Sequence, residues 1–143
     1  MGGSADVLDG RIARARGLEG PRGAFLDSTL DRFAEVGAFV GLAVYFQDSA
    51  LAIVIVVMAL SGSLLVSYTR ARGESQGIIC KVGIMQRAER LLLVGFGGVL
   101  DPAIAAWTGL QGGTPLLILL VFVSVGTLGT AAYRTVWIAS RLD

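Results

Sequence analysis

Four aspartates near the start of the chain fall into two pairs with helical spacing. Asp6 and Asp9 are separated by three positions, and Asp27 and Asp31 by four, so each pair would share one face of a helix. Glycines and a proline at residues 17–21 allow two helices to turn back antiparallel, which would bring the carboxylates together. Because anions at close range repel strongly in a low dielectric, the pattern predicts a bound divalent cation, for which carboxylate oxygens are suitable ligands.

The rest of the composition restricts the chemistry to carboxylates. The chain has no histidine and a single cysteine, Cys80, which excludes zinc sites of the usual His/Cys kind and histidine-based catalysis. We expect hard cations, Mg²⁺ or Mn²⁺. Cys80 cannot form an internal disulfide, and we interpret it as a loop residue without a catalytic role. The formal net charge of +1 gives no argument for nucleic-acid binding, and none is expected.

Small and basic residues complete a longer pattern around the aspartates. Gly10 and Gly23 lack side chains, so a nucleotide could approach the backbone closely, and Arg14 is suited to pairing with a phosphate. The full pattern reads Asp6-x-x-Asp9-Gly10-x-x-Ala13-Arg14, eight residues, then Gly23-x-x-x-Asp27-x-x-x-Asp31. It resembles the signature of the CDP-alcohol phosphatidyltransferase family at each fixed position, and so many matches at fixed offsets are very improbable by chance.

The resemblance implies a specific reaction. Members of that family transfer the phosphatidyl group of a CDP-lipid to an alcohol hydroxyl and release CMP. By analogy, Asp6, Asp9 and Asp27 would hold two divalent ions and Asp31 would contribute to the second. Asp31 would also take the proton of the attacking hydroxyl, while the ions would neutralise the pyrophosphate and the leaving CMP. The residues that would line the CDP site are Gly10, Ala13, Arg14 and Gly23.

Simpler explanations exist for single acidic residues of this region. A helix cap or a solvated helix face is the alternative for the aspartates, and it is strongest for Asp27, close to the start of its predicted helix. Glu35 lies one turn beyond Asp31, where an ionisable group in an apolar setting is costly. We expect it to pair with Arg32 at i,i+3.

A second, basic motif suggests the acceptor. Residues 67–74 (Ser-Tyr-Thr-Arg-Ala-Arg-Gly-Glu) and 83–90 (Gly-Ile-Met-Gln-Arg-Ala-Glu-Arg) resemble the phosphatidylinositol phosphate synthase branch or its archaeal counterpart. The branch often has proline where Ala88 stands. Its acceptor, inositol phosphate, is anionic, and Arg70, Arg87 and Arg90 would bind the phosphate. Glycerol 3-phosphate is also anionic and remains an alternative acceptor, and the arginines could instead anchor helices to anionic headgroups.

Hydropathy indicates how these residues are positioned. Hydrophobic residues make up 54% of the chain and charged residues only 16%, whereas soluble domains have about 25% charged residues. The mean hydropathy is +0.70. Segments 50–60 and 116–125 are apolar all round, which argues against a soluble bundle. We predict an all-α polytopic membrane bundle of about four transmembrane helices, at residues 23–46, 50–68, 91–110 and 115–138.

The distribution of charge predicts the orientation of the bundle. Lysines and arginines lie in or near residues 11–32, 70–90 and 134–141, and the connections at 47–49 and 111–114 have none. The positive-inside rule places the basic side in the cytoplasm. We therefore expect a multi-pass protein of the cell (inner) membrane whose active site faces the cytoplasm and whose partners include membrane lipids.

The extent of the chain differs from that of the family. Family members usually have six membrane helices, with the first aspartate pair at the end of the second. Residues 1–143 are thus predicted to form one membrane-embedded domain that lacks the first helix and most of the second. Either the start codon is misassigned and the natural protein is longer, or the chain is a true fragment. We expect little or no activity from this chain alone. A non-catalytic protein that kept the motif is the alternative, and a homodimer is possible.

Overall fold

The computed structural model describes residues 20–83 and 85–142, and all regular secondary structure in these ranges is helical. The helices are α1 (Pro21–Tyr45), α2 (Ala50–Ser75), α3 (Arg87–Thr108) and α4 (Thr114–Ala139). The predicted all-α class is confirmed. Five of the predicted site residues lie outside the described residues: Asp6, Asp9, Gly10, Ala13 and Arg14.

The second helix is longer than predicted. Its apolar part ends at Tyr68, and residues 69–89 were expected to form a loop, but α2 continues to Ser75. The added turns contain good helix formers, and Arg70 Nε lies 2.9 Å from Glu74 Oε1, an i,i+4 ion pair along the helix. The prediction was wrong there because polarity marks the end of an apolar run and not the end of a helix.

Three of the described helices are long and apolar enough to cross a membrane. By length and composition these are α2, α3 and α4, each exceeding the roughly 20 residues that a bilayer requires. Helix α1 is not among them, because it contains four charged residues between positions 27 and 35: Asp27, Asp31, Arg32 and Glu35. Four spans were predicted, and the described residues contain three plus one helix that is polar at one end. The features are those of a multi-pass membrane protein.

The chain divides into two compact units after Gly37, within α1. In the second unit, α4 packs against both α2 and α3, and its core includes Phe39, Val56, Ala59, Leu116, Leu120 and Val123. Helices α2 and α4 approach closely at Gly62, where a Cβ would overlap Thr127 Oγ1. Gly97 of α3 similarly lies against Leu119 of α4. These small residues therefore serve packing within the chain.

A buried carboxylate joins α3 to the start of α4. Asp101 is 2% exposed, and its Oδ2 and Oδ1 accept hydrogen bonds from the backbone N–H groups of Gly113 (2.6 Å) and Leu116 (2.9 Å). The first N–H groups of a helix lack partners within the helix, so Asp101 caps α4 from a neighbouring element. The sequence did not predict this capping contact.

Candidate functional site

Three predicted site residues occupy successive turns of α1. Gly23, Asp27 and Asp31 are spaced four residues apart on this helix, which aligns them along one side. Asp27 is exposed and Asp31 half-buried. Glu35, one turn further on, is fully buried. Along this side of α1, the carboxylates are thus progressively more buried from Asp27 to Glu35.

The structure excludes a capping role for Asp27. Helix α1 begins at Pro21, and its first turn contains no acidic residue, so Asp27 lies beyond the N–H groups that a capping side chain would reach. Proline suits the first position of a helix because its missing N–H is not needed there. Of the two simpler explanations for Asp27, only a solvated helix face remains.

The described residues contain part of the predicted metal site. Within residues 20–83 and 85–142, no group of three or more His, Cys, Asp or Glu side chains is arranged to hold a metal ion. Asp27 and Asp31 are two of the four predicted carboxylate ligands, and Asp6 and Asp9 lie outside these ranges. Two carboxylates one turn apart suit a hard cation by donor type, and they would be half of the predicted set.

The predicted acceptor arginines differ in their surroundings. Arg70 is exposed near the end of α2 and pairs with Glu74. Arg90 is 1% exposed, and its Nη1 donates to Met85 O at 2.8 Å. Arg87 is half-buried and is the first residue of α3. Cations near a helix N-terminus oppose the helix dipole, so Arg87 and Arg90 are not placed there to stabilise α3.

A further arginine, Arg134, lies near Arg70 and Arg90. In the sequence analysis it was used only as one of the basic residues that predict the orientation of the bundle. Arg134 of α4 is 5% exposed, and it donates from Nε to Val82 O (2.6 Å) and from Nη1 to Val66 O (3.2 Å). Both acceptors are neutral backbone carbonyls. Its charge is repelled by Arg70 and Arg90 and attracted by Glu74. An arginine within an apolar, membrane-spanning run is energetically costly. Its position in such a run could therefore have identified Arg134 as a candidate functional residue from the sequence.

The loop before α3 lies directly on Arg134 because of a glycine. Gly83 has a φ of +133°, and a Cβ there would come within 2.5 Å of Thr130 Cγ2 and about 3.1 Å of Arg134 Nε. Only glycine fits such a conformation at such a distance. At the other end of the loop, Glu89 Oε2 accepts a hydrogen bond from Gln86 N (2.9 Å), which fixes the start of α3. Arg70, Arg90 and Arg134 are called the arginine cluster below.

Comparison with known proteins identifies the family. The profile of the CDP-alcohol phosphatidyltransferase family matches residues 1–126, and the chain belongs to this family. It is 41% identical over 105 residues to archaetidylinositol phosphate synthase of Methanothermobacter thermautotrophicus, covering 73% of this chain and 52% of that protein. It is 39% identical over 140 residues to phosphatidylinositol phosphate synthase of Streptomyces avermitilis, covering 92% and 55%.

Solved structures of similar fold agree with this assignment. Phosphatidylinositol phosphate synthase of Mycobacterium tuberculosis with CDP-DAG bound superposes with a TM-score of 0.72 at 28% identity, covering 93% of this chain and 66% of that one. A second structure of that enzyme, in complex with manganese and citrate, gives a TM-score of 0.73 at 27% identity. The chain spans about half the length of the curated relatives it matches.

Proposed function

We propose that this protein transfers the phosphatidyl group of a CDP-activated lipid to a hydroxyl of inositol phosphate and releases CMP. The observation that carries the proposal is the line of Gly23, Asp27 and Asp31 on one side of α1, within the region that matches the family. The names of the relatives support inositol phosphate as the acceptor. We also propose that residues 1–143 act as one membrane-embedded domain, as a homodimer, with the site on the cytoplasmic side of the cell membrane.

In this scheme the acidic residues bind cations and move a proton. Asp6, Asp9 and Asp27 would hold two divalent ions, Mg²⁺ or Mn²⁺, and Asp31 would contribute to the second; a solved relative is described in complex with manganese. When bound, such ions neutralise the pyrophosphate and the leaving group. The acceptor oxygen forms a bond to the phosphatidyl phosphorus while the bond from phosphorus to the CMP oxygen breaks, and CMP leaves with that electron pair. Asp31 accepts the proton of the attacking hydroxyl.

The remaining residues of the pattern bind the nucleotide. Gly10 and Gly23 allow the CDP moiety to approach the backbone, with Ala13 and Arg14 beside it. The solved relative described with CDP-DAG bound supports a CDP-lipid as the substrate class.

The arginine cluster provides the acceptor site. Arg70 and Arg90 both repel Arg134, and a bound phosphate would relieve that repulsion through charge-assisted hydrogen bonds. The positive end of the helix dipole at the start of α3 also favours an anion. Arg87 and Arg90 belong to this first turn. Glycerol 3-phosphate has the same phosphate group and is the second candidate acceptor.

A CMP-release assay tests the proposal. The chain, and a version extended upstream, are supplied with CDP-diacylglycerol, Mg²⁺ and one radiolabelled acceptor: inositol phosphate, glycerol 3-phosphate or serine. We expect CMP release and a labelled lipid with inositol phosphate from the extended version, and little or no turnover from the chain alone. Labelled lipid with serine alone would contradict a phosphate-binding acceptor site, and absence of turnover from both versions with every acceptor would contradict the proposed activity.

A further inference from the structure

Arg134 of α4 makes hydrogen bonds to two segments that are far apart in the sequence. Its Nε donates to Val82 O in the loop before α3 (2.6 Å), and its Nη1 donates to Val66 O of α2 (3.2 Å). The side chain is buried, so both contacts are made inside the protein. One guanidinium therefore joins α2, α4 and the middle of the loop.

Other contacts hold the two ends of this loop. Near its start, Ile78 N donates to Gly73 O at 2.9 Å. Near its end, Met85 O accepts a hydrogen bond from Arg90 Nη1 at 2.8 Å. Val82 lies between these two anchors, and its carbonyl oxygen is held by Arg134. Without Arg134, the centre of the loop would lose its bond to α4.

Gly83 lets the loop approach Arg134 closely. Its φ is +133°, and a Cβ there would lie 2.5 Å from Thr130 Cγ2 and 3.1 Å from Arg134 Nε. An alanine at this position would therefore have to move away from α4, and the adjacent Val82 carbonyl would move with it. Gly83 and Arg134 thus control the same contact from its two sides.

The hydrogen bonds of Arg134 occupy the part of the guanidinium that would grip a phosphate. A bidentate contact uses two parallel N–H groups. The Nε atom has a single N–H, which is directed at Val82 O, and Nη1 already donates to Val66 O. The rigid fork of donors is thus used to join two backbone carbonyls, a task for which its fixed geometry is well suited.

The loop leads directly into two arginines of the predicted acceptor site. Arg87 is five positions after Val82 and is the first residue of α3. Arg90 donates to Met85 O of the same loop. A displacement of the loop would therefore be passed on to Arg87 through the chain and to Arg90 through this hydrogen bond.

We propose that Arg134 is a positioning residue for acceptor binding: it fixes the loop before α3, and the loop fixes Arg87 and Arg90. The charge of Arg134 contributes to the arginine cluster, but its hydrogen bonds go to the backbone and not to the acceptor. The inference rests on the proposed function, in which the arginines of this region bind the acceptor phosphate.

Amide hydrogen exchange and acceptor binding test the inference together. In the upstream-extended version, Arg134→Ala and Gly83→Ala should each speed the exchange of residues 77–83. Exchange within α3 should stay at the parental rate, which shows that both variants are folded. The affinity for inositol phosphate, measured by calorimetry, should fall about tenfold in each variant. The affinity for CDP and the turnover at saturating inositol phosphate should be retained.

A double variant separates positioning from direct binding. If both residues act through the loop, the double variant should lose affinity for inositol phosphate about tenfold, like either single variant. Independent effects would instead multiply to about a hundredfold. The matched control is Gly77→Ala, a glycine of the same loop with a φ of +80° whose Cβ would meet nothing within 4 Å. This control should bind inositol phosphate like the parent.

The outcomes separate this inference from the proposed function. A hundredfold loss in the double variant would overturn the positioning role, and so would parental exchange of residues 77–83 or parental affinity for inositol phosphate in Arg134→Ala. Binding of inositol phosphate by the parent without CMP release would contradict the proposed transfer and leave the positioning role standing. CMP release by the parent, with equal acceptor affinities in all variants, would contradict the positioning role alone.

Discussion

The cap that Asp101 places on α4 gives a stability prediction with a defined magnitude. Asp101→Ala removes both acceptors and leaves the N–H groups of Gly113 and Leu116 without these bonds in a buried setting. An unsatisfied buried donor costs about 1–3 kcal/mol, so the substitution should destabilise the bundle by about 3 kcal/mol. Asp101→Asn keeps one acceptor oxygen and should lose about half as much. For a chain of this size, about 3 kcal/mol lowers the melting temperature by roughly 6–12 °C.

The single cysteine reports this unfolding. Cys80 is fully buried, so a thiol-reactive fluorogenic dye reacts with it as the second unit opens. Heating the detergent-solubilised chain with the dye gives a melting temperature for each variant. The control is Asp48→Ala, an exposed aspartate in the turn before α2, which should change the stability by less than about 0.5 kcal/mol. If Asp101→Ala melts together with Asp48→Ala, the capping account is wrong.

Two further predictions use the same chain. Gly62→Val should destabilise the packing of α2 on α4 by about 1–3 kcal/mol, because a side chain there overlaps α4. The control Gly95→Val, whose side chain meets open space, should not destabilise the bundle. Equal melting temperatures of the two variants in the dye assay would refute this prediction. Arg134→Ala should lower kcat/KM for inositol phosphate by about tenfold or more, as expected when about 1.4 kcal/mol of charged hydrogen bonding is lost. The control is Arg141→Ala, which should leave kcat/KM unchanged because the Arg141 guanidinium lies over Trp137. An unaltered kcat/KM in Arg134→Ala would remove that residue from the acceptor site.

The parts of the molecule that sequence could predict are those set by local spacing. Apolar runs located α3 and α4 closely, because a membrane-spanning helix needs a continuous apolar stretch. The i,i+4 spacing of Asp27 and Asp31 was enough to predict that they share one helix face. The start of α1 at Pro21 then removed the capping explanation for Asp27, which spacing alone had left open.

The parts that sequence missed depend on contacts between distant residues. Asp101 bonds to Gly113 and Leu116 only because α3 and α4 form a tight pair. Arg134 reaches Val82 and Val66, which are 52 and 68 positions away. No periodicity within one segment encodes such pairs. An ionisable residue in an apolar run could still have raised the question of its partner.

The removal of the proposed general base tests the central claim most directly. In whichever of the chain or its upstream-extended version releases CMP, Asp31→Asn should lower turnover about 10²- to 10⁴-fold while CDP binding, measured by calorimetry, is retained. Asp48→Asn, an exposed aspartate in a turn, should turn over like the parent. CMP release at the parental rate from Asp31→Asn would contradict the account.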